Sequence, residues 1–332
     1  MGKIRFMLRN SICRVLVGFG LIAGSGGTAF AHEHHDHDPE GPTIQERLGF
    51  PADAKLLIVH ADDLGMSHSK NVATIESMQR GIVTSASIMM PTPWVGEAVA
   101  MAKANPELDM GVHLTLTAEW KHYKWGPLLG ADDVPSLVTE AGVFHDNVPD
   151  FAAAADVAEA EAEVRAQIDQ ALASGVEISH LDGHMGSMLA TDEIAAMYVR
   201  VANDYRLPFR LHQHGFEDFD EARLRTVMQH YAAAYTSIGG APPDTYPDGM
   251  INYYNDWLRS LQPGLNLMVV HVGFDDPEMQ AIMVEHPLWG ARWRQIDYDW
   301  TTSPETKAIM EEEGIILIDN RLLRDKLIRA QD

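Results

Sequence analysis

The run Leu56-Leu57-Ile58-Val59-His60-Ala61-Asp62-Asp63-Leu64-Gly65 carries an apolar segment onto two adjacent carboxylates and then turns at a glycine. Two later apolar segments end on imidazoles: Met110-Gly111-Val112-His113, and Ile178-Ser179-His180-Leu181-Asp182-Gly183-His184. One carboxylate and two histidines can hold a divalent ion and still leave it room for water and substrate. Asp63, His113 and His184 are the expected ligands. This donor set suits zinc first, with cobalt, nickel or magnesium as alternatives. Asp62 is then a spare carboxylate beside the ion, placed to act as general base toward water. The chemistry implied is metal-dependent hydrolysis.

Further residues extend the constellation. His271 closes the run Leu267-Met268-Val269-Val270 and is the expected general acid. Asp182, two residues before His184, could hold an imidazole in place from behind. Arg292 and Asp297 could orient His271 or a substrate carbonyl. Trp120 and Trp125 are the tryptophans best placed to pack against a sugar ring. His60 and His180 lie inside strands and read as core or pocket-wall residues.

The elements that must position these groups alternate. Strands are expected at residues 56–60, 84–89, 110–114, 178–182, 209–211, 267–271 and 315–318. Helices are expected at 69–80, 95–104, 152–173, 192–204, 221–238, 277–284 and 304–313. Strand-then-helix alternation predicts an α/β fold with a parallel sheet. The continuous rhythm suits a (β/α) barrel, TIM-like and incomplete or distorted, with an open doubly wound sheet as the runner-up. Strand carboxyl ends in such folds share one face, where active sites gather. No glycine-rich phosphate loop follows any strand, which argues against nucleotide binding. Residues 115–150 lack periodicity and carry Trp120, Tyr123, Trp125 and Phe144, as a binding loop or lid would.

Composition bounds the rest. Lys3, Arg5, Arg9 and Arg14, an apolar stretch and Ala29-Phe30-Ala31 read as an export signal over residues 1–31. Export would end in the periplasm or outside the cell. Its removal would take away four basic residues and no acidic one, moving the net charge from −23 to −27. So acidic a chain disfavours nucleic acid and anionic membranes. The sole cysteine, Cys13, lies in this segment, so disulfide and thiol chemistry are not expected. Residues 32–50, with His32-Glu33-His34-His35-Asp36-His37-Asp38, read as a flexible tail and linker able at most to scavenge metal weakly. Residues 51–332 read as one catalytic domain, and nothing in the pattern excludes a homodimer.

Taken in order, Ala61-Asp62-Asp63-Leu64-Gly65, Gly81-Ile82-Val83-Thr84-Ser85-Ala86-Ser87, Gly111-Val112-His113-Leu114-Thr115-Leu116, His180-Leu181-Asp182-Gly183-His184 and His271-Val272-Gly273-Phe274-Asp275-Asp276 resemble the YdjC-like carbohydrate deacetylase family. The resemblance runs from about residue 56 to 323. It implies a barrel-like enzyme that removes acetyl groups from N-acetylated sugars or oligosaccharides with one divalent metal. It also implies Asp63, His113 and His184 as ligands, Asp62 as base and His271 as acid. Three features depart from the family pattern: His60 stands where asparagine is common, only one histidine follows Asp182, and the chain carries an expected export signal that many members lack. The competing readings are a metal-dependent phosphoesterase, a metal-free glycosidase working through two carboxylates, and a non-catalytic glycan- or metal-binding protein.

Overall fold

The computed structural model describes residues 41–209 and 235–331. The segments read as signal and histidine-rich tail, Cys13 and most of the expected helix at 221–238 lie outside them. Within the expected linker, Ile44–Leu48 is a helix (α1), capped by Thr43 and anchored through buried Leu48.

The sheet is wholly parallel. Its strands are β1 (Lys55–Leu64), β2 (Ser85–Ile88), β3 (Met110–Leu114), β4 (Ile178–Gly183), β5 (Ser237–Gly239), β6 (Gly264–Val270) and β7 (Ile315–Leu317). The order is β4-β3-β2-β1-β6-β5, with β7 also on β1. β6 runs along one edge of β1 from Lys55 to Ala61. The other edge is divided: β7 takes Lys55–Leu57, and β2 pairs from His60 onward. This shared edge distorts the barrel expected from the sequence. Phe209 adds a parallel bridge to Leu181 on β4, and the seam between β4 and β5 is unpaired among the described residues.

β1 shows how the sheet separates its faces. Side chains alternate along a strand. Leu57, Val59 and Ala61 pack with Met268, Val270 and the aromatic groups of Tyr254, Trp293 and Trp300. Leu56 and Ile58 face Leu265, Leu267, Ile318 and Leu323 on the other side. His60 and Asp62 continue that second register.

The helices are α2 (His68–Arg80), α3 (Val95–Ala104), α4 (Val148–Ala154), α5 (Val157–Ala173), α6 (Asp192–Tyr205), α7 (Met250–Ser260), α8 (Pro277–Ile282), α9 (Ala291–Thr302), α10 (Pro304–Glu312) and α11 (Asn320–Leu323). The elements differ from the sequence reading at several points. The helix expected at 152–173 is two, because Asn147 starts one and the Asp156 side chain caps the next. The aperiodic stretch 115–150, expected as a binding loop or lid, is held by the Phe144 N–H to Trp125 carbonyl bond and the Ala118 N–H to His145 carbonyl bond. Ser237–Gly239, expected at the end of a helix, is a strand beside β6. Finally, α7, α9 and the short α11 have no counterpart among the expected helices. α9 buries Trp293, Arg294, Ile296, Asp297 and Trp300 on one face.

Candidate metal and catalytic site

The carboxyl ends of β1, β3 and β4 converge, and the convergence depends on a backbone turn. Asp62 follows the strand alternation and points to the same side as His60. Its neighbour should then point away. Asp63 instead takes a left-handed conformation, φ 60°, where the β1–β2 register slips between Ala61 and Leu64. A non-glycine residue there is uncommon and strained, and such strain gathers at functional sites. Gly65 (φ 102°) completes the turn, and a Cβ there would crowd the Thr92 hydroxyl at 3.0 Å and the Met89 carbonyl at 3.2 Å. Gly111 on β3 serves another need, since a Cβ would fall 2.4 Å from the His180 ring.

Asp63 Oδ1 lies 3.3 Å from His113 Nε2 and 3.3 Å from His184 Nδ1, and those two nitrogens stand 3.3 Å apart. All three side chains are buried. The outward nitrogens are committed elsewhere. His113 Nδ1 lies 2.9 Å from Asp182 Oδ1, and His184 Nε2 lies 2.9 Å from Glu119 Oε2. An imidazole that donates through one nitrogen presents a lone pair at the other. Two lone pairs and a carboxylate oxygen facing one point repel each other unless a cation or a proton lies between them. The donors present therefore fit a divalent ion.

The same electrostatics appear in the acidities. Burial opposes charging His113, but Asp182 and Asp63 outweigh it and raise the imidazole to about 9. Burial likewise opposes charging His184, and Glu119 and Asp63 raise it to about 10. Burial alone would raise the Asp63 carboxyl; Arg294 and the two histidines hold it well below the usual range. Arg294 Nη1 donates to Asp63 Oδ2 at 2.9 Å, leaving Oδ1 to the imidazoles. Asp182 is held in turn by His60, whose Nε2 lies 3.0 Å from Oδ2.

Asp62 stands beside this triangle. Its Oδ2 is 3.5 Å from His271 Nε2, and its Oδ1 is buried without a hydrogen-bond partner among the described residues. Burial pushes the His271 imidazole down to about 4, against the pull of Asp62 and Asp63, so it rests neutral. The backbone N–H of His271 donates to Asp297 Oδ2 at 2.8 Å, and Tyr254 donates to Asp297 Oδ1 at 2.6 Å. Asp297 thus orients His271 through the main chain. Lys70 is wholly buried nearby with no hydrogen-bond partner for Nζ among the described residues, and burial lowers it to about 8.

The site opens into a cavity of about 460 Å³ lined by Asp62, Asp63, Glu119, Trp120, His184, Met185, His271, His286, Leu288, Trp289 and Arg294. Trp120 forms one wall, with the Arg294 guanidinium 5.6 Å from its ring centre. The other tryptophan singled out by the sequence, Trp125, is not in the lining. It is buried behind His184, and its Nε1 donates to the Thr117 carbonyl at 2.9 Å. Arg292 is exposed and does not line the cavity; the guanidinium in the site is that of Arg294. On a helix, residues 293, 297 and 300 share a face and 292 lies off it. The apolar spacing of Trp293, Ile296 and Trp300 carried that signal. The sequence reading also missed Glu119 and Trp289.

The class these features define is an α/β barrel-like protein with a carboxylate–imidazole triangle at its strand ends and a second carboxylate, Asp62, alongside. The particular lineage follows from comparison: residues 56–312 match the family described as YdjC-like protein, and the chain belongs to it. A carbohydrate deacetylase of Thermus thermophilus is 32% identical over 274 residues, covering 81% of this chain and 94% of that one. A carbohydrate deacetylase of Thermoanaerobacter pseudethanolicus is 28% identical, covering 81% and 100%. A crystal structure from Enterococcus faecalis, described provisionally as a cellobiose-phosphate cleavage protein, superposes with a TM-score of 0.70 at 26% identity, over 81% of this chain and 99% of that one.

Proposed function

We propose that this protein is a metal-dependent carbohydrate deacetylase that hydrolyses the acetamide of an N-acetylated sugar or oligosaccharide. The observation that carries the reading is the 3.3 Å triangle of Asp63, His113 and His184 with Asp62 left over beside it. Donors about 2.0–2.1 Å from a tetrahedral ion stand about 3.3–3.4 Å from one another. Neighbouring donors of an octahedral magnesium would stand about 2.9–3.0 Å apart. The spacing therefore favours zinc.

A divalent ion held by Asp63, His113 and His184 would lower the pKa of water in the site and offset negative charge developing on the acetamide oxygen. Asp62 takes the proton as water attacks. Its unpaired Oδ1 and its separation from Arg294, which is spent on Asp63, leave it free for that role. His271 starts neutral and cannot donate at rest. It hands a proton to the departing nitrogen only after receiving one, and Asp62 Oδ2 at 3.5 Å is the nearest acid to supply it. The net change is water plus acetamide giving acetate and a free amino sugar. Trp289, exposed on the cavity wall, offers apolar area to the ring, whereas Trp120 is buried between Arg294 and His286. Among the described residues, the one guanidinium in the lining is tied to a carboxylate, which disfavours a phosphate substrate.

The test is acetate release from a panel of N- and O-acetylated oligosaccharides, with zinc and with chelator. Zinc-dependent release from N-acetylated members is expected. Zinc-loaded, folded protein that releases acetate from none of them sinks the proposal.

Export is part of the proposal, supported by the basic, apolar and Ala29-Phe30-Ala31 segments. Protein purified from its native cells is expected to begin at His32. A mature pool that still begins at Met1 overturns it.

A further inference from the structure

Asp182 and Glu119 play the same part for different histidines, but they come from different places. Asp182 sits on β4 and is buried, with His60 behind it. Glu119 sits five residues beyond the end of β3, on the wall of the cavity, and is partly exposed. The stretch that carries it is pinned on both flanks. Lys124 Nζ donates to the Ala118 carbonyl at 2.7 Å, and Trp120 meets the His286 ring edge-on at 5.0 Å. Lys121 pairs with Glu285 at 2.7 Å. Glu119 Oε2 is thereby delivered to within 2.9 Å of His184 Nε2 from the substrate side.

An imidazole ring can turn about its Cβ–Cγ bond and offer either nitrogen to a metal. The second nitrogen's partner decides which. His184 reaches the triangle through Nδ1, while His113 reaches it through Nε2. For His113 the choice is made by a strand residue. Among the described residues no strand residue hydrogen-bonds Nε2 of His184, and Glu119 is its partner. We infer that Glu119 is a positioning residue: it accepts the Nε2–H of His184, fixes that tautomer, and so commits Nδ1 to the metal. The metal centre of this chain then depends on a cavity-wall carboxylate outside the aspartate and histidine motifs. The inference rests on the metal-centre reading above.

The test measures metal binding and tautomer rather than turnover. Zinc affinity is measured by chelator competition for the wild type, Glu119→Ala and Glu119→Gln. Ring nitrogen shifts of ¹⁵N-histidine-labelled, zinc-loaded wild type report which His184 nitrogen carries hydrogen. Wild type is expected to bind zinc with the proton on Nε2. Glu119→Ala should lose about 10- to 100-fold in affinity. Glu119→Gln, whose amide oxygen still accepts Nε2–H, should recover most of that loss. A folded Glu119→Ala that binds zinc as tightly as wild type overturns the inference, including one that shows only a raised KM. If the alanine variant does not fold, a wild-type His184 carrying its proton on Nδ1, or a Glu119→Gln as weak as a ligand deletion, overturns it equally. A wild type that binds no zinc would instead remove the metal reading beneath it.

Discussion

Arg294 and Asp63 form a buried ion pair, with Nη1 2.9 Å from Oδ2, that joins α9 to the turn after β1. The guanidinium does three things at once. It neutralises a buried carboxylate, donates to the Trp289 carbonyl at 2.9 Å, and stacks near Trp120. Removing one partner of a buried pair leaves an uncompensated charge and costs about 3–5 kcal/mol. Arg294→Met should therefore melt well below wild type. A bound cation would replace part of the lost charge, so added zinc should narrow the gap. Melting curves with chelator and with zinc check this; an equal gap in both would disconnect Arg294 from the metal site.

Asp62 and Asp63 should separate cleanly in mutation. Asp62→Asn should keep zinc affinity and lose about 10²- to 10⁴-fold in turnover, the usual worth of a general base. Asp63→Ala and His113→Ala should lose affinity as well. Parallel chelator competition and acetate-release kinetics distinguish the two patterns. Wild-type turnover in zinc-saturated Asp62→Asn would remove it as the base.

Protons compete with the metal. His113 and His184 are raised to about 9 and about 10, so in metal-free protein near neutral pH the triangle holds protons that zinc must displace. Zinc binding at pH 7 should release at least one proton, seen as a buffer-dependent binding enthalpy. Apparent affinity should climb with pH toward about 9–10. The sign for stability follows. These histidines bind protons more tightly when folded, so the metal-free fold gains from them below their ordinary value of 6.5 and loses that gain as pH rises through about 9 and 10. The zinc form should lack this loss.

Asp109, remote from the triangle, gives an independent pH test. Burial raises its carboxyl from 3.8 to about 6, partly offset by bonds from Ser179 and Ser85. The folded state keeps the proton longer than the unfolded one, so stability falls as pH rises from 3.8 to about 6 and then levels. A shift of this size is worth about 3 kcal/mol. Asp109→Asn cannot ionise and keeps an acceptor for the Asn320 N–H, so it should gain on wild type between pH 4 and pH 7. Urea titrations at the two pH values measure the gain; an unchanged difference would contradict the buried-acid account.

Much of the site was legible because a parallel α/β rhythm obliges strand ends to meet. Once the runs ending at Asp63, His113 and His184 read as strands, their carboxyl ends had to meet at one end of the sheet, while the direction of the Asp63 side chain was left to the turn that follows. Asp62 and His271 followed by the same logic, and they lie together. The helix carrying Arg294 is not among the expected elements, so Arg292 reads as the residue that orients His271 or a substrate carbonyl; the period of α9 turns 294 inward and 292 outward. Glu119 had no local signal, because it stands in an aperiodic stretch whose path is set by contacts with residues more than a hundred positions away, such as His286 and Glu285.

The amino-acid order by itself determined which groups could do chemistry, and roughly at which end of the fold, since hydrophobic periodicity and turn residues act over a few neighbours. Tertiary structure decided the rest. It set the left-handed turn at Asp63 that brings two adjacent carboxylates to one centre, the edge of β1 shared by β7 and β2, and the carboxylate behind each imidazole. Those features depend on which distant surfaces pack together, and strain at one residue persists only where that packing holds it.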